Sequence, residues 1–75
     1  MENYANQSGR SGIRAYQIGV DYIIVQFNSG HHTLYTYTYN SAGGAVIETM
    51  KELARSGVGL NSYISINNPD YTSRS

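Results

Sequence analysis

The chain has 75 residues, five Lys plus Arg balanced by five Asp plus Glu, no Cys and no Trp. That length holds one small domain, and the missing cysteine excludes a disulfide framework, a thiolate zinc site and a cysteine nucleophile. Zero net charge removes the broad cationic surface usual in nucleic-acid binders. No apolar run approaches the roughly 18 residues of a spanning helix, and the first twelve residues lack the layout of a secretory leader, so a cytoplasmic chain without membrane contact is expected.

Residues 1–11 (MENYANQSGRS) are polar and aperiodic, and are expected to form a flexible tail. From Ile13 to Ile18 (IRAYQI) the apolar residues are scattered, consistent with a short strand. Gly19-Val20-Asp21 turns the chain. Tyr22 to Phe27 (YIIVQF) is dense in β-branched and aromatic residues and predicts a second strand. After Asn28-Ser29-Gly30, the stretch His32 to Tyr39 (HTLYTYTY) alternates Tyr and Thr at the period of a third strand.

The period then changes. Val46, Ile47, Met50, Leu53 and Ala54 make one stripe of an amphipathic helix, with Ser41 a natural N-cap and Gly57 a natural residue just past its end. Glu48, Lys51, Glu52 and Arg55 fall on the other side, as a solvated face. Leu60 to Ile66 (LNSYISI) reads as a short helix, and 67–75, opening on Asn-Asn-Pro-Asp, as a second flexible tail. The predicted fold is α+β: a single domain over 12–66, a three-stranded antiparallel β-meander packed by one amphipathic helix, plus a short C-terminal helix.

Hairpin register decides where the tyrosines face. A three-residue Asn28-Ser29-Gly30 loop, the preferred reading, pairs Phe27 with His31 and Ile23 with Tyr35. Tyr35, Tyr37 and Tyr39 then lie beside Ile23, Val25 and Phe27, under the helix. A two-residue Ser29-Gly30 loop flips every side chain to the other face. In either register both sheet faces carry apolar residues, so the second face calls for the short C-terminal element, a partner subunit or a ligand. Leu, Ile, Val and Phe number only 15 of 75 residues, and small domains with thin cores turn to self-association, so a homodimer is also expected.

No catalytic arrangement stands out. Adjacent strand residues point to opposite faces, so His31-His32 reads as a pair of exposed turn residues, and only a distorted turn would let the two share a metal. A Ser-His-Asp set can be written from His32, Asp21 and any of nine serines, without a nucleophile elbow to support it. Gly43-Gly44 and Gly57-Val58-Gly59 lack the strand–turn–helix context of a phosphate loop. The expectation is no enzyme, no cofactor and no metal.

Val25-Gln26-Phe27, Gly30, Tyr37-Thr38-Tyr39, Ala54-Arg55-Ser56-Gly57 and Leu60-Asn61-Ser62-Tyr63-Ile64 follow one another in an order that resembles the KTSC domain family. That family is named for the C-terminal extension of some lysyl-tRNA synthetases and includes small stand-alone bacterial proteins. Ile18-Gly19-Val20-Asp21 is similar to its upstream I-G-Y-D, with Val20 where tyrosine is usual, and Tyr71 is similar to a terminal tyrosine. The resemblance spans about residues 13–71. It departs in a longer stretch after Gly30, so that Tyr35-Thr36-Tyr37 competes for the Y-x-Y match, and in Asn40 to Gly44 where the family carries Pro. It implies no established activity and, from the synthetase context, RNA binding.

An aromatic sheet face is one way to stack unpaired bases, at about 1–3 kcal/mol per base. The residues selected for RNA or nucleic-acid binding are Tyr35, Tyr37 and Tyr39 as platform, with Arg14, Lys51 and Arg55 for phosphates. The alternative is a protein–protein or homodimer interface built on the same tyrosines. Salt separates the two, because phosphate contacts weaken as ionic strength rises.

Overall fold

The computed structural model describes residues 1–7, 9 and 11–75. Ser8 and Arg10, inside the predicted first tail, lie outside the described residues. Among the described residues the chain forms β1 (Glu2–Asn3), β2 (Ile13–Ile18), β3 (Tyr22–Phe27), β4 (Leu34–Thr38), α1 (Tyr39–Ala42), α2 (Gly44–Ser56), α3 (Leu60–Asn67) and β5 (Ser73–Arg74). The five strands make one antiparallel sheet in sequence order. The α+β class and the central meander agree with the sequence, the strand count is corrected from three to five, and a third helix, α1, begins at Tyr39 where the third strand was expected to end.

The two added strands come from the segments predicted as tails. Each is two residues long, too short to show a periodicity, and is held by backbone pairing to a neighbour. β1 pairs with β2, and the next residue, Tyr4, donates its N–H to the Arg14 carbonyl at 3.0 Å. β5 pairs with β4, flanked by a 2.7 Å bond from Thr72 N–H to the Thr36 carbonyl. Tyr4 is only 6% exposed and its hydroxyl accepts the first N–H of α3, from Leu60, at 3.3 Å. That bond satisfies a donor the helix itself leaves open.

A β-bulge at Arg14 explains the irregular look of β2. Ile13 pairs with Phe27 and Ala15 with Gln26, so Arg14 is the extra residue. Ile13 and Tyr16, three apart, therefore point to the same face, both buried. The β3–β4 hairpin pairs Ile23 with Tyr37 and Val25 with Tyr35. The Phe27 N–H meets the Thr33 carbonyl, which leaves a five-residue loop, 28–32, containing Gly30 at φ +117°. Both predicted loops are thus corrected. The actual register lies two residues from the preferred one, so parity survives and the Tyr35–Tyr37 face is the predicted one.

β4 ends at Thr38, which caps α1: its side chain accepts the Ser41 N–H while Ser41 returns to the Thr38 N–H. The predicted cap at Ser41 thus becomes the reciprocal partner of a cap three residues earlier. α2 buries Ile47, Met50, Lys51 and Ala54. It ends at Gly57, in the left-handed region at φ +75°, as the sequence predicts. A Cβ there would stand 2.5 Å from that of Ala5, so the glycine also admits the first segment. Lys51 corrects the predicted solvated face, for it is 4% exposed.

The core gathers Tyr4, Ile13, Tyr16, Ile23, Val25 and Tyr37 from one sheet side with Ile47, Met50, Ala54 and Leu60 from the helices. α3 joins α2 on that side, with Tyr63 and Ile64 against the core. On the other side the register aligns Gln17, Tyr22, Ile24, Gln26, Leu34, Thr36 and Thr38. These stand outside the helix-sealed core and none is charged. No helix among the described residues is long and apolar enough to cross a membrane.

Candidate functional site

Where β4 leaves the helix layer, its tyrosines open into a cleft of about 690 Å³. Phe27, Tyr35 and Tyr37 form its floor, and the β3–β4 loop from Ser29 to His32 one wall. The other wall is Ile64 of α3 with Asn68, Pro69 and Tyr71, and Arg74 of β5 completes the lining. A volume of this size falls in the usual range for a small-ligand pocket.

The rings of the cleft interlock. Phe27 and Tyr35 meet edge to face with centroids 5.3 Å apart, and Tyr71 meets Tyr35 the same way at 5.0 Å. Tyr35 and Tyr37, two apart along β4, lie nearly parallel at 6.4 Å. His31 and His32 make an edge-to-face pair at 5.1 Å on the loop wall. β5 pairs Arg74 with Tyr35, which sets both on the same sheet face, and the Arg74 guanidinium lies 5.5 Å from the Tyr71 centroid. The cleft thus offers aromatic surfaces, one fixed cation and two imidazoles, with no carboxylate side chain among the described lining residues.

Burial pushes the Tyr37 hydroxyl up to about 12, with the neighbouring Tyr35 and Tyr71 hydroxyls adding to the shift. Tyr37 therefore stays neutral across the physiological range and contributes ring surface and a hydroxyl, never a charge.

Of the six residues selected from sequence, the cleft contains Tyr35 and Tyr37. Tyr35 is half-buried, whereas Tyr37 is 3% exposed and serves the core as well as the floor. Tyr39 leaves the sheet as the first residue of α1, and its hydroxyl donates to Glu48 Oε2 at 2.6 Å. Lys51 Nζ donates to the same oxygen and to the Val20 carbonyl, both at 2.8 Å, so its charge is spent inside the fold. Those bonds, that from Lys51 first and then that from Tyr39, hold the Glu48 carboxyl below its ordinary range. Arg55 is exposed in the last turn of α2, where a cation faces the helix carbonyls, and Arg14 is exposed at the β2 bulge. Neither lines the cleft.

Phe27, His31, His32, Tyr71 and Arg74 are the ring-bearing and charged lining residues beyond those the sequence pointed to. The signal for Tyr71 lies in the family resemblance, and that for the loop histidines in their adjacency. Arg74 had no signal without the β4–β5 pairing. Among the described residues no three metal-ligating side chains come together. Comparison with protein-family models, with curated proteins and with solved structures finds no match for this chain.

Proposed function

We propose that this is a non-enzymatic, KTSC-like module that holds an unpaired base of single-stranded RNA in the aromatic cleft. The observation that carries the reading is the cleft itself: stacked and edge-on rings around an open volume, with Arg74 the only fixed charge among its described lining residues. A base is planar and stacks on rings, and the phosphate joined to it seeks a cation. The motifs behind the family resemblance support it too, since Phe27, Tyr37 and Tyr71 meet here. Tyr35 and Tyr71 supply accessible ring surface and Arg74 the phosphate contact. Arg14, Lys51 and Arg55 have no part in it.

Amide chemical shifts of the labelled protein, followed during titration with short single-stranded RNA at low and physiological salt, test the reading. Saturable shifts are expected at His31, His32, Tyr35, Tyr71 and Arg74. One phosphate contact gives a shallow salt dependence, with a log–log slope near −0.7. Tyr71→Ala should weaken binding about 5- to 150-fold, the equivalent of about 1–3 kcal/mol of stacking. No response to RNA, with shifts on dilution alone, would overturn the proposal and assign the cleft to protein association.

A further inference from the structure

The wall of the cleft that carries Tyr71 and Arg74 is a strap hung on a strained hinge. Asn68, the residue that closes α3, sits at φ 45° and ψ 57°. Positive φ is uncommon outside glycine, and a residue that precedes proline, as Asn68 precedes Pro69, is steered toward extended backbone. Beyond the hinge, residues 70–75 are all exposed.

The strap docks on one short stretch of chain. Its anchors are backbone bonds from Thr72 to Thr36 and from Ser75 to Leu34, with the Ser75 carbonyl accepting from Thr33 and Leu34. Thr38 and Thr72 join hydroxyls at 2.7 Å, Ser41 donates to the Asp70 carbonyl at 2.8 Å, and Tyr71 meets Tyr35. All of these partners belong to β4 and its immediate flanks. A second copy offers the same stretch, so every anchor can be remade between chains while the hinge relaxes to extended backbone.

We propose that the strap exchanges between two copies of this chain, β5 of each pairing with β4 of the other. Each cleft then receives the partner's Tyr71 and the partner's Arg74, and the site is completed by the dimer. The zero net charge sets no barrier to the encounter. The exchange stands on the strap alone and does not depend on RNA, so a protein that ignores RNA yet exchanges its straps would refute only the proposed function.

Sedimentation of the unaltered chain over about 10 μM to 1 mM should show a dimer share that rises with concentration. Asn68→Gly, which accepts the closed hinge without strain, should lower the dimerisation constant by at least about fivefold. The chain has no cysteine, so the double variant T38C/T72C reports which strand lies beside which. Oxidised at high concentration it should give a dimer linked between chains, and the same double variant with Asn68→Gly mainly a bridge within one chain. No dimer at the highest concentration, a dimer indifferent to Asn68→Gly, or an intrachain bridge at every concentration would each overturn the proposal. If the cysteine variant fails to fold, the Asn68→Gly comparison decides.

Discussion

Tyr37 shows how one side chain can serve two roles. Its ring is core, sealed by α2 and paired with Ile23, while the same residue floors the cleft. The folded state keeps its hydroxyl neutral up to about pH 12, whereas an unfolded tyrosine ionises near pH 10. The folded value is the higher one, so this stabilisation is complete below pH 10 and is lost as pH rises through about 12. Urea unfolding at a series of alkaline pH values should show the loss, and Tyr37→Phe should remove that part of it. Lys51 and Tyr39 teach the opposite lesson about side-chain chemistry. Both looked available to a ligand, yet both are engaged by Glu48, because a short α1 swings Tyr39 off the sheet and back toward α2.

At the scale of elements, the junction of α2 with the first segment depends on Gly57. Its left-handed backbone and the nearness of Ala5 both exclude a side chain, so Gly57→Ala should cost about 1–3 kcal/mol, read as a fall in thermal midpoint. α2, α3 and the three long strands were legible because their periods are intrinsic: the Tyr–Thr alternation of β4 and the Ile47–Met50–Ala54 stripe need no partner to be seen, whereas the four-residue α1 is too short to show a period. Register was legible only to parity. The sequence marks a turn at Gly30 but cannot say that Asn28 to His32 all stay out of the ladder, since that is settled where Phe27 finds Thr33. The bulge at Arg14 hid the face of β2 for a related reason, as one extra residue breaks the alternation that reports burial. The cleft was half legible, with the tyrosines of its floor written in one strand and its walls assembled from a loop and from a segment more than 30 residues away in sequence.

Across the whole molecule, the sheet is finished at both edges by segments whose composition suggests no structure. The first of these is integral to the core, so Tyr4→Ala should cost about 3 kcal/mol and lower the thermal midpoint by well over 10 °C. A dispensable tail would leave that midpoint unmoved. The strap at the opposite edge has a further effect. β4 reads Leu-Tyr-Thr-Tyr-Thr, uncharged and free of proline and glycine, which is the profile of a segment that stacks into fibrils when its edge is bare. Two residues of β5 shield that edge, whether they come from the same chain or from a second copy. A chain ended at Pro69 should therefore show a shortened lag before thioflavin-positive fibrils appear, and a single charge at Thr36 on the open face should restore the delay. The short strand that walls the cleft is, in this sense, a guard against amyloid.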